Sequence, residues 1–406
     1  MNVVLIHYAA PPVVGGVESV LARQAELITR AGHSVRILAG RGQTWDPAIP
    51  VEVDPWIDSR QPEILALKSS LDKGLVPPEF EAVSSRLRAS LAASLADADV
   101  LIAHNVASLH KNLALTAALY QISQEPGSPL LILWHHDLAW ITPRYRPDLH
   151  PGFPWDLLRT PWPGARQVVV SEPRREELSH LFQIPPTQIL VIPSGLDPAE
   201  FFGLSPSTRE LVDLLGLADA CPLLLTPVRL TPRKNLELAL SVLKELHQIL
   251  PGAQLVITGP PGAHNPANVA YLHNLQNLRA DLGLEGAAHL LAELRPDGLT
   301  DVEVAEFYRL ADALLLTSRE EGFGIPILEA GLGRLPIFCT DLPPLRDLAG
   351  GWASYFSPDD PPAHVARVIA GGLARDPQYQ LRSRVLSEFT WEAIYYNRIA
   401  PLLEAR

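Results

Sequence analysis

Glu321 and Glu329 stand with seven residues between them, the first in a glycine-bearing turn and the second on the helix that follows. A carboxylate offers only hydrogen-bond acceptors, so it suits the vicinal hydroxyls of a sugar or a ribose. The turn runs on through Gly322, Phe323, Gly324 and Ile325 to Pro326, where a first helical turn tolerates proline. A helix N-terminus at that point presents free N–H groups and a partial positive charge to an anion. Amide donors for phosphate beside carboxylates for hydroxyls is the mixture a nucleotide sugar requires. The bland alternative is a tight turn of an α/β sheet with a solvated glutamate.

Arg229 and Lys234, with four residues between them, add two cations in a loop that follows another strand. Two fixed cations there would hold a diphosphate and neutralise it as it leaves. The chain has five lysines (Lys68, Lys73, Lys111, Lys234 and Lys244), which counts against reading this one as part of a solvated basic turn. Gly15 and Gly16 let backbone approach a ligand at the end of the first strand. They do not make the dinucleotide fingerprint. His135 and His136 end a strong strand and read either as a packed pair or as site residues, with His136 the better candidate. No clustered carboxylate or cysteine partners beside these histidines point to a metal. His104 and Asn105, at another strand end, are candidates for the acceptor side; His7 reads as structural. The segment 138–163 mixes Trp140, Tyr145, Phe153 and Trp155 with Arg144, Arg146 and Arg159. Aromatic faces cover sugar rings, and guanidinium forks bind carboxylate or phosphate. The competing reading pairs these arginines with Asp137, Asp148 and Asp156 in a rigid loop.

The elements that must position these residues read as two α/β series. In the first, strands at 3–7, 35–39, 100–104, 130–134, 168–170 and 189–192 alternate with helices at 17–31, 79–95, 109–120 and 174–182; 41–98 is otherwise irregular. The second has strands at 223–228, 254–258, 288–291, 313–316 and 335–340. Its helices fall at 235–250, 268–282, 302–310, 326–332, 343–348 and 363–373, and a last one begins near 378 or 391. The expected domains are 1–195 and 196–390, with a helix near 391–406 packing back on the first. The expected fold class is α/β, two doubly wound Rossmann-like domains facing across a cleft.

Length and composition set bounds on this. The 406 residues suffice for two domains, and 47% hydrophobic with 19% charged residues describes a globular protein with large cores. A formal net charge of -12 argues against nucleic acid or an anionic membrane as the main partner. Cys221 and Cys339 sit beside or within apolar strand runs and read as packed thiols of a reducing compartment. No leader is evident, no run approaches the roughly 20 apolar residues of a membrane span, and a cytoplasmic location is expected. There is no internal repeat.

Over nearly its whole length the chain resembles the retaining glycosyltransferases of family 4, which have the GT-B fold. The resemblance rests on Gly15-Gly16, on His136 in Trp134-His135-His136-Asp137, on Arg229 with Lys234, and on Glu321 and Glu329 as an E-x7-E motif. It implies that Glu321 meets the donor sugar and Glu329 the ribose, and that His136, Arg229, Lys234 and Glu321 take part in catalysis. Gly259 and residues 322–325 join the donor side; His104, Asn105, Arg144 and Arg146 join the acceptor side. The chain departs from the family in having Pro193-Ser194-Gly195-Leu196-Asp197 and Val228 where the family has Pro-Asn-Gly-Val-Asp and glycine. The longer stretch 259–266 is similar to the branch of sucrose-phosphate, trehalose-forming and mannosylglucosylglycerate-type synthases, which favours a small soluble acceptor that can be anionic. The expected reaction moves a hexose from a nucleotide diphosphate sugar, of GDP-mannose or UDP-glucose type, with retention and without metal or cofactor. The alternatives are a nucleotide-sugar epimerase of the same fold, a transferase acting on lipid-linked or polysaccharide acceptors, or a sensor that binds without turnover. Nothing in the sequence indicates an oligomeric state.

Overall fold

The computed structural model describes residues 1–261 and 267–404. By contacts the chain divides into two units, Met1–Gly195 with Trp391–Arg406, and Leu196–Thr390.

The first unit is a seven-stranded parallel sheet in the order β3-β2-β1-β4-β5-β6-β7. The strands are β1 (Asn2–His7), β2 (Ser34–Ala39), β3 (Val51–Val53), β4 (Val100–His104), β5 (Leu130–His135), β6 (Arg166–Val169) and β7 (Ile189–Val191). Central strands of a parallel sheet are covered on both faces, so they read as continuous apolar runs rather than alternating ones. Val3, Val4, Leu5 and Ile6 of β1 are all fully buried. Around the sheet lie helices α1 (Gly16–Arg30), α2 (Pro62–Leu71), α3 (Glu79–Ser94), α4 (Leu113–Ser123) and α5 (Glu172–Phe182). The stretch 41–98 is more regular than its sequence suggests, for it holds β3 and α2 as well as α3. Helix α4 starts at Leu113 and not near 109, because the Asn112 side chain accepts from the Leu115 amide and fixes the helix start there.

The second unit is a six-stranded parallel sheet in the order β10-β9-β8-β11-β12-β13. Its strands are β8 (Leu223–Thr226), β9 (Gln254–Ile257), β10 (Ala288–Leu290), β11 (Ala313–Leu316), β12 (Ile337–Thr340) and the short edge strand β13 (Ser354–Phe356), absent from the sequence reading. Helices α6 (Pro198–Phe201), α7 (Pro206–Leu215), α8 (Leu236–Leu246), α9 (Ala267–Asp281) and α10 (Asp301–Leu310) precede β11. Helices α11 (Ile325–Gly333), α12 (Pro343–Ala349), α13 (Pro362–Leu373) and α14 (Pro377–Glu388) follow it.

After α14 the chain returns to the first unit. Trp391, Ile394, Tyr395, Ile399, Leu402 and Leu403 are buried in one cluster with Val3, Leu5, Ile28 and Ile132. The Arg166 guanidinium donates to the Leu402 carbonyl at 2.6 Å. Both sheets thus share one doubly wound order, which reverses direction between β1 and β4 and again between β8 and β11. Among the described residues no helix is long and apolar enough to cross a membrane.

Candidate active site

In doubly wound sheets, ligands bind beyond the carboxyl ends of the strands at the point of reversal. In the second unit those ends carry the loops 227–235 after β8 and 317–324 after β11. The two loops are stitched together. The Thr317 hydroxyl donates to the Lys234 carbonyl at 3.0 Å, and the Arg319 amide donates to the Arg233 carbonyl at 2.8 Å. From the first loop the Lys234 ammonium donates to Glu321 Oε1 at 2.6 Å, and the Ser318 hydroxyl donates to the same oxygen at 2.7 Å. The two side chains are only 10% and 8% exposed. Burying two ions costs several kcal/mol each before their attraction repays it. A pair held at that cost, at the point of reversal, is placed for charge chemistry. Lys234 keeps two more ammonium protons for a ligand.

Arg229 lies in the same loop but in another environment: it is exposed, and no ion pair engages it among the described residues. Gly259 has a packing reason of its own. A Cβ there would run into the Val228 carbonyl and lie 2.7 Å from the Arg229 Cα, so only glycine lets the two loops pass. The Leu230 amide donates across to the Pro260 carbonyl at 3.1 Å, which ties the base of the Arg229 loop to this crossing. Residues 262–266, the rest of the long stretch after Gly259, lie outside the described residues.

The glycine turn enters α11 with Gly324 at φ 109 and no side chain capping the helix. A Cβ at Gly324 would lie 2.6 Å from Leu345 Cδ2, whereas one at Gly322 would meet nothing within 4 Å. Phe323 and Ile325 are more than half exposed beside the uncapped end. Glu329, one turn further on, has its Oε2 held by the Tyr308 hydroxyl of α10 at 2.6 Å. Burial and that carboxylate push the Tyr308 phenol far above its ordinary range, so it stays a donor.

In the first unit, β1, β4 and β5 deliver His7, His104 and His135 to their carboxyl ends. His104 Nδ1 lies 3.1 Å from His136 Nε2, and the two rings stack at 5.4 Å. His7 Nδ1 in turn meets the His104 carbonyl at 2.9 Å. Asn105, in the left-handed region at φ 59, turns its side-chain carbonyl onto the amides of His136 at 2.8 Å and Asp137 at 3.2 Å. The sequence reading put His104 and Asn105 on the acceptor side. The structure instead places both behind His136, at 0% and 3% exposure, where they hold it. His135 is a packed residue bonded to Gln167. Burial first, then the neighbouring histidines, lowers His136 to about 3, and burial lowers His135 to about 4. His136 is therefore a neutral imidazole near pH 7, able to give or take a hydrogen bond but not to serve as an acid. Gly15 is extended at φ -174, and α1 begins after it without a side-chain cap. A Cβ on Gly16 would meet nothing within 4 Å.

The segment 138–163 is partly core. Trp155 and Trp162 are buried, so they cannot serve as open stacking faces. Arg159 pairs with Asp156 at 2.8 Å and lies over the Trp140 ring at 4.4 Å. Asp148 is 3.3 Å from His110, and Asp137 is 4.0 Å from Arg174. Arg144 and Arg146 are exposed and, among the described residues, meet no carboxylate; Arg144 covers Tyr145, and Arg146 donates to the Trp140 carbonyl. The sequence reading missed two groupings. One is Tyr308 on Glu329, which only the packing of α10 on α11 reveals. The other is Asp72, His110 and Asp148, whose ligand atoms lie within 4.8 Å of one another. The Lys68 ammonium contacts both Asp72 oxygens, at 2.7 and 2.6 Å, so a cation already sits on that carboxylate.

Comparison with known proteins places these loops in a familiar setting. Residues 14–200 match the family described as "Glycosyltransferase Family 4", and residues 212–375 match "Glycosyl transferases group 1". A D-inositol 3-phosphate glycosyltransferase of Mycolicibacterium vanbaalenii is 28% identical over 56% of this chain and 50% of its own length. The chain thus spans half the length of that relative. An MMP alpha-(1->4)-mannosyltransferase of Mycolicibacterium hassiacum is 24% identical over 98% of this chain and 97% of its own. A solved sucrose-phosphate synthase of Thermosynechococcus elongatus is 18% identical, with 99% of this chain and 98% of that one covered at a TM-score of 0.38.

Proposed function

Because the chain belongs to the glycosyltransferases, with a Family 4 domain followed by a group 1 domain, we propose that it moves a hexose from a nucleotide diphosphate sugar to a hydroxyl of a small soluble acceptor, with retention. The observation that carries this is the buried Lys234–Glu321 pair at the sheet reversal, beside an uncapped helix start and with Glu329 one turn on. Cations and amides there suit a diphosphate, and carboxylates suit hydroxyls. In this reading the Lys234 ammonium, the exposed Arg229 and the α11 N-terminus receive the charge that grows on the departing diphosphate. Glu321, oriented by Lys234 and Ser318, faces the sugar, and Glu329 faces the ribose. The leaving phosphate oxygen takes the acceptor hydroxyl's proton while the acceptor oxygen bonds to the anomeric carbon on the face the leaving group vacates. In the first unit, neutral His136 is braced by His104 and Asn105 and can give or take a hydrogen bond. The first relative's name includes an inositol phosphate, and the exposed Arg144 and Arg146, which meet no carboxylate among the described residues, suit an anionic acceptor.

The test is a screen for hydrolysis of nucleotide sugars, then an acceptor screen with the donor found, reading product anomer by NMR. A product with the donor's anomeric configuration is expected. An inverted product overturns retention, and isomerisation of the donor with no acceptor overturns transfer.

A further inference from the structure

We infer that Tyr308 is the positioning residue that makes Glu329 a one-oxygen receptor for the donor's ribose; this rests on the reading of Glu329 given above. A glutamate on a helix surface samples several rotamers, and any ligand that fixes it pays for that freedom. Here the freedom is already removed. The Tyr308 hydroxyl donates to Oε2 at 2.6 Å and stands 3.5 Å from the Pro326 carbonyl in the first turn of α11. The tyrosine is itself 5% exposed, so its ring cannot swing away. The single phenolic proton therefore ties α10 to the carboxylate, with the oxygen resting against the helix start. Because the phenol is held protonated, the tie persists across the working pH range. Oε1 is left without a protein partner among the described residues, on a half-buried side chain bordering a groove of about 670 Å³ between α10 and α11. A carboxylate with one oxygen satisfied and the other open accepts from one hydroxyl, or bridges two neighbouring ones, in a single orientation.

The alternative is a plain clip between two helices, and the two make different predictions. Uridine and guanosine diphosphates are titrated into the full chain by calorimetry, and the tighter one is compared with its 2′,3′-dideoxy counterpart. With Tyr308→Phe, affinity for the ribonucleotide should fall roughly 3- to 10-fold, the effect expected of losing a charge-assisted hydrogen bond. Affinity for the dideoxy nucleotide should stay unchanged, since it lacks the groups Glu329 accepts from. In a Glu329→Gln background the same change should cost nothing further. Equal losses for both nucleotides, or an undiminished preference for ribose in Tyr308→Phe, would overturn the inference. A native chain that binds the ribo and dideoxy forms alike removes the assignment of Glu329 instead. Failure of both diphosphates to bind removes the reading of a UDP- or GDP-sugar donor itself. Melting curves report any loss of packing separately.

Discussion

Replacing Lys234 by alanine strands a carboxylate that is only 8% exposed. At 2.6 Å and an effective dielectric of about 20, the attraction within the pair is about 6 kcal/mol. Desolvation offsets part of it, and deleting one partner of a buried pair costs about 3–5 kcal/mol. For a unit of this size each kcal/mol moves a melting midpoint by about 2–4 °C, so the transition of the second unit should fall by roughly 10 °C. Removing both charges, in Lys234→Met with Glu321→Gln, should bring the midpoint back to within a few degrees. Turnover should not follow. In the proposed reaction the ammonium acts on charge that develops in the transition state, so its loss should cost roughly 100-fold or more in rate, whatever stands at 321. The assay pairs scanning calorimetry with initial rates measured below every transition. If the double variant regained turnover together with stability, Lys234 would serve only to keep Glu321 paired, and the diphosphate assignment would fall.

Arg144→Ala and Arg146→Ala should each raise the acceptor KM several-fold and leave the donor KM unchanged; equal shifts in both constants would remove these arginines from the acceptor side. Activity should survive chelation of divalent metals, since in the proposed reaction Lys234, Arg229 and the α11 N-terminus take a metal's place at the diphosphate, and loss restored by magnesium would contradict this. Stability should fall as pH drops from about 6.5 toward 4. His135 and His289 are lowered to about 4 and His136 to about 3, chiefly by burial, whereas unfolded imidazoles titrate near 6.5. In that window the unfolded chain binds more protons than the folded one, so folding is favoured fully only above it. A flat melting midpoint between pH 7 and 4.5, or a slope unchanged by His135→Gln, would refute the assignment.

What the sequence revealed follows from how locally each feature is encoded. The strand, glycine turn and helix from Ala313 to Gly333 lie within some 20 residues, and apolar runs, Gly324 and Pro326 mark them directly. The ion pair between Lys234 and Glu321 joins residues 87 apart, and only the pairing of β8 with β11 brings them together. The edge strands β3 and β13 are three residues long and carry Glu52 and Ser354, so neither shows the continuous apolar run that marks the central strands. His104 and Asn105 were legible as strand-end polar residues. Which way they face was not, because the left-handed turn at Asn105 directs its side chain inward under His136. The aromatic segment misled for a related reason: Trp155 and Trp162 fill the core, and composition alone does not tell a stacking face from a packed ring.

The segment from Trp391 to Leu403 completes the core of the first unit, although the whole of the second unit lies between them in the chain. During synthesis at about 5–20 residues per second, residues 196–390 take roughly 10–40 s to emerge. For that interval the face formed by Val3, Leu5, Ile28 and Ile132 lacks the side chains that later cover it. The second unit, contiguous in sequence, can close its own core before the first one does. The first unit is therefore the one that needs sequence from both sides of the other, and its nascent form exposes an apolar face until residues 391–403 arrive.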